Sequence, residues 1–465
     1  MVARLIVHPA RGPLRGSVRL PADERILLAR LALGALSRGK STYVGAGSGR
    51  ATETLLSALA RFGVASERSG DDVSLRGAAL GDWTPCSETL DLRGEARVAA
   101  LLLGLLVARP FESELWVDAT VADTLGEMLE ACGLVRVQRE NEGARLLLLA
   151  SSERPEGIAV QTSGAFPWVK QALLLLGLRA ATPTTVEETW LSEDHLERAL
   201  LRVRAPLHVE GTSVTLHPPR DADALAPTQW EAVGSVELGD WLGAAALLVP
   251  GSRIELRGVG TNPTRTDFFN LVRLLGGPVG FTPQGEAQGE PFGNMSFGTV
   301  PFGTVPFEGE SAVESAELSG AALVARLRRA DLAGEPVLRL GESAAPLAVL
   351  LAGAEGTSSL SDLVACSRSA EPRWFSRVIG FLRSAGIEAA PSEVGLVVKG
   401  RAGPLSAFRL TSGGDPRLVF LGCLLALRAD GPCYIDDVDC LREVFPRFIG
   451  TWRALGASLE LEREP

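Results

Sequence analysis

Phosphate, metal and nucleophile chemistry each need particular side chains at particular spacings, and few such sets occur in this chain. Lysine occurs three times, at Lys40, Lys170 and Lys399, so 43 of the 46 basic residues are arginine and lysine-dependent chemistry has three candidates. Lys170 follows a tryptophan on a largely apolar helix and reads as a snorkelling lysine. The four histidines, His8, His195, His208 and His217, have no metal-ligand spacing. The six cysteines (Cys86, Cys132, Cys366, Cys423, Cys433, Cys440) contain no CxxC pair. They read as buried thiols, so no metal site is expected. His195, within Ser192-Glu193-Asp194-His195, belongs to the first turn of a helix with Ser192 as its cap. Gly45-Ala46-Gly47-Ser48-Gly49 resembles a phosphate loop, but Arg50 stands where the third required glycine would be, and we read it as a decoy. GxSxG, HExxH and Walker sequences are absent.

The elements that would position any site come from a chain of 465 residues, 46% apolar and 22% charged, enough for two to four domains. The net charge of −10 argues against sequence-independent nucleic-acid binding. The longest charge-free apolar run, Val98–Ala108, has 11 residues, short of the roughly 20 that a membrane helix requires. The opening MVARLIVHPARG has no long apolar stretch, so no signal peptide and a cytoplasmic location are expected.

The chain repeats itself. A recurring unit has a short strand, an apolar helix rich in Ala, Leu and Gly, a second strand, and an amphipathic helix. The units end at Gly63, Gly133, near Val203, and at Gly276, Gly386 and Gly456, in steps of 70, about 70, about 73, 110 and 70. Each terminal glycine suits a helix C-cap with φ > 0. The first helix of each unit is apolar around most of its circumference and should be buried. The first unit is read as opening with a strand at Val18-Arg19-Leu20 before its helix. The long step holds an insertion at about 278–335, in which FGTVP occurs twice (Phe297–Pro301, Phe302–Pro306). Its Gly and Pro density predicts an exposed loop, with four phenylalanines available to a protein partner.

Six such units, with Gly260, Asn262, Pro263, Thr264, Arg265 and Thr266 in a G-x-N-P-T-R-T sequence, resemble the enolpyruvyl transferase family, and within it the EPSP synthase branch. Pro21 and Asp23, Asp194–His195 with Glu197–Arg198, and Phe445–Pro446 add to the match, which runs from about residue 5 to 460 outside the insertion. Read without the resemblance, Asn262–Thr266 is structural, with Pro263 starting a helix and Thr264 capping it. The resemblance implies an α/β fold of two domains, each of three repeated βαβαββ-type units. They would be 19–235 (the shikimate-phosphate side) and 1–18 plus 236–465 (the phosphoenolpyruvate side), with a ligand cleft between them. It implies no cofactor, and helix N-termini with basic residues holding two anions.

The departures from the family concentrate at the chemistry. In the first loop Glu24 replaces a lysine, Arg25 a serine and Ala29 an arginine. Gly94, Ala96 and Ala100 replace an asparagine, a glycine and an arginine in the second unit. Phe166-Pro167-Trp168 replaces S-[AS]-Q; Ser192 keeps a phosphate-side serine, and Glu193 replaces the arginine after it. In the second half, the acid-base aspartate falls on Glu342. Glu371 keeps the family glutamate, with Arg373 beside it, and Trp374 replaces an arginine. Asp415-Pro416-Arg417 retains the arginine that would hold phosphoenolpyruvate, and Glu443 replaces a lysine.

A like charge in place of an opposite one reverses a term of about 4 kcal/mol at 4 Å for an effective dielectric near 20. Glu24, Glu193 and Glu443 each make that reversal, with no basic residue expected to offset all three. The expectation is a family member that is non-catalytic or acts on a different, less anionic ligand in the cleft. The alternative is a working transferase with Glu371 and Glu342 moving protons and Arg417, Arg373, Arg25, Ser192 and Asp415 on substrate. A scaffold that docks a protein on the Phe-rich insertion is the third reading. Neither nucleic acid nor membrane is an expected partner.

Overall fold

A computed structural model describes residues 3–78, 82–219, 225–298, 331–354, 356–363, 374–401 and 403–463. Its described strands form six sheets of four strands each, one per sequence unit. The second unit shows the pattern without interruption. Strand Leu90–Asp91 leads into helix Ala96–Leu106, then strand Ser113–Val117, a helical stretch from Ala119 to Ala131, and the hairpin Val135–Glu140 and Gly143–Leu148. The first two strands pair in parallel, as a helical crossover requires, and the hairpin adds antiparallel with its last strand innermost. The third unit repeats this order with Ala159–Thr162, Thr184–Glu188, Ser213–Leu216 and Leu207–Glu210.

The first and fourth units exchange strands. Arg15–Arg19 precedes helix Glu24–Ala35 in sequence, yet it pairs in parallel with Arg253–Gly260 in the fourth unit's sheet. Gln229–Glu231 in turn pairs in parallel with Arg38–Val44 and completes the first. The strand read at the start of the first unit therefore serves the fourth. Ala3–Val7 similarly lies between Cys433–Asp436 and Leu459–Arg463 in the sixth sheet.

The chain divides into two compact units. One takes in the described residues of Met1–Pro21, Val233–Glu286 and Pro291–Pro465, the other those of Ala22–Ala232 and Ala287–Glu290. Each buries its apolar first helices, and each buried Leu or Val contributes about 1.5–3 kcal/mol. In the Ala22–Ala232 unit, helix Glu24–Ala35 buries every residue from Ile26 to Ala35. Helix Ala96–Leu106 buries Val98 to Leu106 and crosses helix Pro167–Gly177 closely. A Cβ on Gly104 would stand 2.3 Å from the Ala172 carbonyl oxygen. In the other unit, helices Val236–Leu248, Ala344–Leu351 and Pro416–Ala426 fill the core.

The glycines that end five units all have positive φ, from +71° to +107°. The third unit, which lacks the glycine, places Arg204 at φ +61° directly after Val203.

Three sequence expectations need correction. Residues Val279–Ala287 and Glu290–Gly298 form a hairpin rather than an exposed loop. Phe297 of the first FGTVP copy is 1% exposed in the core and edge-on to Phe269, so it is not offered to a partner. Beyond Gly298 the repeat lies outside the described residues. The helix after Asn262 begins at Asp267, and Asn262 Oδ1 instead accepts from the Thr264 amide (3.0 Å) and hydroxyl (2.8 Å) in a local turn. Among the five described cysteines, all free thiols, Cys423 and Cys433 are buried while Cys132 is exposed.

No helix among the described residues is long and apolar enough to cross a membrane. No cluster of three or more potential metal ligands occurs among them either.

Candidate functional site

In the Ala22–Ala232 unit, three helices bring their N-terminal halves to Glu193. Arg25 is the second residue of helix Glu24–Ala35, Arg97 the second of Ala96–Leu106, and Gln171 the fifth of Pro167–Gly177. Arg25 Nη1 donates to Glu193 Oε2 at 3.1 Å. Arg97 Nη1 donates to Glu193 Oε1, which also accepts from Gln171 Nε2 at 3.3 Å. Glu193 is 3% exposed. The substitution that reverses a charge in the sequence thus lands between two guanidinium groups.

Glu24 is accommodated in another way. Its Oε1 accepts from the Thr52 amide at 2.9 Å and the Thr52 hydroxyl at 3.0 Å, at the start of helix Arg50–Arg61. Gly49 is the N-cap there and offers no side chain, and a Cβ on it would meet Glu24 Oε1 at 2.3 Å. A carboxylate from another helix therefore does what a capping side chain ordinarily does, at the end where a negative charge is favoured. Glu443 is exposed on the short helix Leu441–Val444. The expectation of three uncompensated reversals is corrected: one is ion-paired, one caps a helix and one is solvated.

Ser192 and Lys170 also depart from expectation. Ser192 does not cap helix His195–Arg202, whose N-cap is Asp194. Its hydroxyl donates to Glu188 Oε1 at 2.6 Å, and its amide to Glu188 Oε2 at 3.1 Å. Lys170 does not snorkel. It is fully buried, with Nζ 2.8 Å from Glu188 Oε2 and 2.6 Å from Glu197 Oε1. Burial alone would lower the Lys170 pKa; the Glu197 and Glu188 carboxylates overcome this and raise it. Burial raises Glu197, with Lys170 opposing. His195, the first residue of its helix, is buried with Nδ1 2.9 Å from Glu290 Oε1.

In the other unit, Asp415 caps helix Pro416–Ala426 through the Arg417 amide (3.0 Å). The same carboxylate accepts from Arg417 Nε (2.9 Å) and Nη2 (2.8 Å), and from Arg377 Nη1 (3.2 Å). Arg417 Nη1 reaches Glu342 Oε1 at 3.0 Å, and its guanidinium lies 4.3 Å from the Trp374 ring centroid. Glu342 rides on the 3-10 turn Gly341–Ser343, where Ser343 Oγ donates to the buried Asp240 Oδ2 at 2.6 Å. Burial pushes Asp240 well above the usual carboxylate range, against the Ser343 hydrogen bond.

Of the residues named from sequence, Arg417, Asp415 and Glu342 come together in one unit, and Arg25 in the other lies beside Glu193. Glu371 and Arg373 fall outside the described residues. Arg97, Gln171, Glu188 and Asp240 have no site role in the sequence reading, and Trp374 enters it only as the loss of an arginine. Arg97 and Trp374 stand inside family motifs, which is a usable signal, whereas Gln171 and Asp240 sit in apolar helices that read as core.

The sequence profile of the EPSP synthase (3-phosphoshikimate 1-carboxyvinyltransferase) family matches residues 9–452. The 3-phosphoshikimate 1-carboxyvinyltransferase of Geobacter sulfurreducens is 29% identical over 445 residues, covering 95% of this chain and 96% of that protein. The Bacillus velezensis protein of the same name is 27% identical over 442 residues, covering 94% and 96%. An EPSP synthase structure from Acinetobacter baumannii superposes with a TM-score of 0.80 at 21% identity, over 99% of this chain and 100% of that one. The enolpyruvyl transferase NikO from Streptomyces tendae gives 0.74 at 18% identity, over 100% of both chains. At those identities the structural likeness speaks for the fold.

Proposed function

Because the chain belongs to the EPSP synthase family, we propose that it is a member with rebuilt anion positions: it does not transfer an enolpyruvyl group from phosphoenolpyruvate to shikimate 3-phosphate, and it binds a less anionic ligand. The supporting observation is Glu193, whose buried carboxylate holds Arg25 and Arg97. An incoming phosphate must displace that carboxylate to use those arginines. Breaking a buried pair by removing a partner costs about 3–5 kcal/mol. At about 1.4 kcal/mol per power of ten, affinity falls roughly a hundred- to several-thousand-fold.

Ser192 adds to this reading, since its hydroxyl proton is committed to Glu188. The test is phosphate release from phosphoenolpyruvate and shikimate 3-phosphate with purified protein. No release above the blank is expected; turnover in the ordinary enzyme range of about 1–10³ s⁻¹ would overturn the proposal.

One observation favours a second reading, a working 3-phosphoshikimate 1-carboxyvinyltransferase. Arg417 and Glu342 are both present and 3.0 Å apart, so an anion-holding arginine and a proton-transfer carboxylate remain adjacent. In that reading Glu342 and Glu371 move protons at the reacting carbons while Arg417 holds phosphoenolpyruvate. The same phosphate-release assay separates the two.

A further inference from the structure

We infer that Arg25, Arg97 and Gln171 form a binding site for a single planar carboxylate, and that the chain's own Glu193 is its resident occupant. The two carboxylate oxygens are served separately. Oε2 accepts from Arg25, and Oε1 accepts from Arg97 and Gln171. That division suits a flat, two-oxygen group. The donors come from three different helices whose apolar faces are buried, so the site is built on rigid elements.

The occupant is held from behind. Glu188 accepts both the hydroxyl and the amide of Ser192, the residue directly before Glu193. Lys170 ties that same Glu188 to Glu197 on the following helix. Strand, loop and helix are thereby joined at one buried ammonium. Lys170 and Glu188 are positioning residues that fix where Glu193 projects. The inference deepens the proposed function and rests on its reading of Glu193: the site recognises a carboxylate, and the chain supplies it in cis.

The experiment is replacement of the occupant. Glu193→Ala removes one CH2–COO⁻ group, whose closest free equivalent is acetate. Melting temperatures of wild type and Glu193→Ala are measured against acetate, inorganic phosphate and chloride at matched ionic strength. Saturable stabilisation of the variant by acetate is expected, with an apparent affinity at least about tenfold above that of wild type and above that of phosphate for the variant. An equal response of both proteins, or a stronger response of the variant to phosphate, overturns the inference.

Glu193→Gln, which fills the same space with an amide, should show no acetate response; a response equal to that of Glu193→Ala places the anion elsewhere and also overturns it. Should Glu193→Ala not fold alone, its refolding yield with and without acetate carries the same test. Shikimate 3-phosphate binding to wild type with acetate rescue of the variant would overturn the proposed function alone. No such binding and no rescue would overturn this inference alone.

Discussion

Lys170→Met removes the ammonium from between two carboxylates while keeping an unbranched chain of similar length. Lys170 and Glu188 are fully buried at the side chain and Glu197 nearly so, which leaves little solvent to screen the change. The Coulomb energy of either pair, at 2.6–2.8 Å, is offset by desolvation of all three groups. The loss on truncation is therefore the cost of leaving the partners uncompensated, about 3–5 kcal/mol. That is a large share of the roughly 5–15 kcal/mol that stabilises a domain.

The pH dependence follows from the carboxylates. Glu197 is already raised by burial, so its folded pKa lies above its unfolded value, and stability falls as pH rises through that folded pKa. Without Lys170 the penalty on ionised Glu197 grows, so the variant should lose more at pH 8 than at pH 5, because Glu197 is the group burial has raised. Amide exchange of helix Pro167–Gly177 is the suitable assay, because a chain of two units need not unfold in one step. The triple variant with Glu188→Gln and Glu197→Gln should recover most of the loss. A Lys170→Met loss below about 1 kcal/mol, or one equal at both pH values, would mean that Lys170 does not compensate the two buried carboxylates.

Three further outcomes are expected. Burial raises the Asp240 pKa, so Asp240→Asn should match wild type near pH 4 and exceed it progressively toward pH 8 in urea denaturation. Glu24→Ala should cost helix Arg50–Arg61 its cap, about 0.5–2 kcal/mol, read as faster amide exchange in its first turn. Gly104→Ala drives a methyl to within 2.3 Å of the Ala172 carbonyl and should lower the melting temperature of its unit, by about 1–3 kcal/mol of stability or more.

The repeat is legible because five of the six units carry their own stop signal. The glycines at 63, 133, 276, 386 and 456 need a left-handed conformation that a helix end supplies, and Arg204 shows the same geometry met without glycine. The apolar helices were equally readable, since a helix apolar all round has only the core to occupy.

The strand exchange was not readable. Arg15–Arg19 and Gln229–Glu231 precede similar helices, and local sequence does not say which sheet each joins. Site polarity failed for a related reason. A glutamate in an arginine's place reads as a repulsion until Arg25 and Arg97, 168 and 96 residues away, are seen around Glu193. Lys170 looked like a surface lysine on an apolar helix because its partners Glu188 and Glu197 lie on other elements. Asp240 has its hydrogen-bonding partner Ser343 103 residues on.

With Glu193 seated on Arg25 and Arg97, substrate should find no open anion position there. Calorimetric titration of the purified protein with shikimate 3-phosphate, alone and with saturating phosphoenolpyruvate, is the decisive measurement. No saturable heat is expected up to about 1 mM of either ligand. Binding at micromolar concentration, strengthened by the second ligand, would mean that Glu193 yields its arginines to substrate, and would contradict the proposed function.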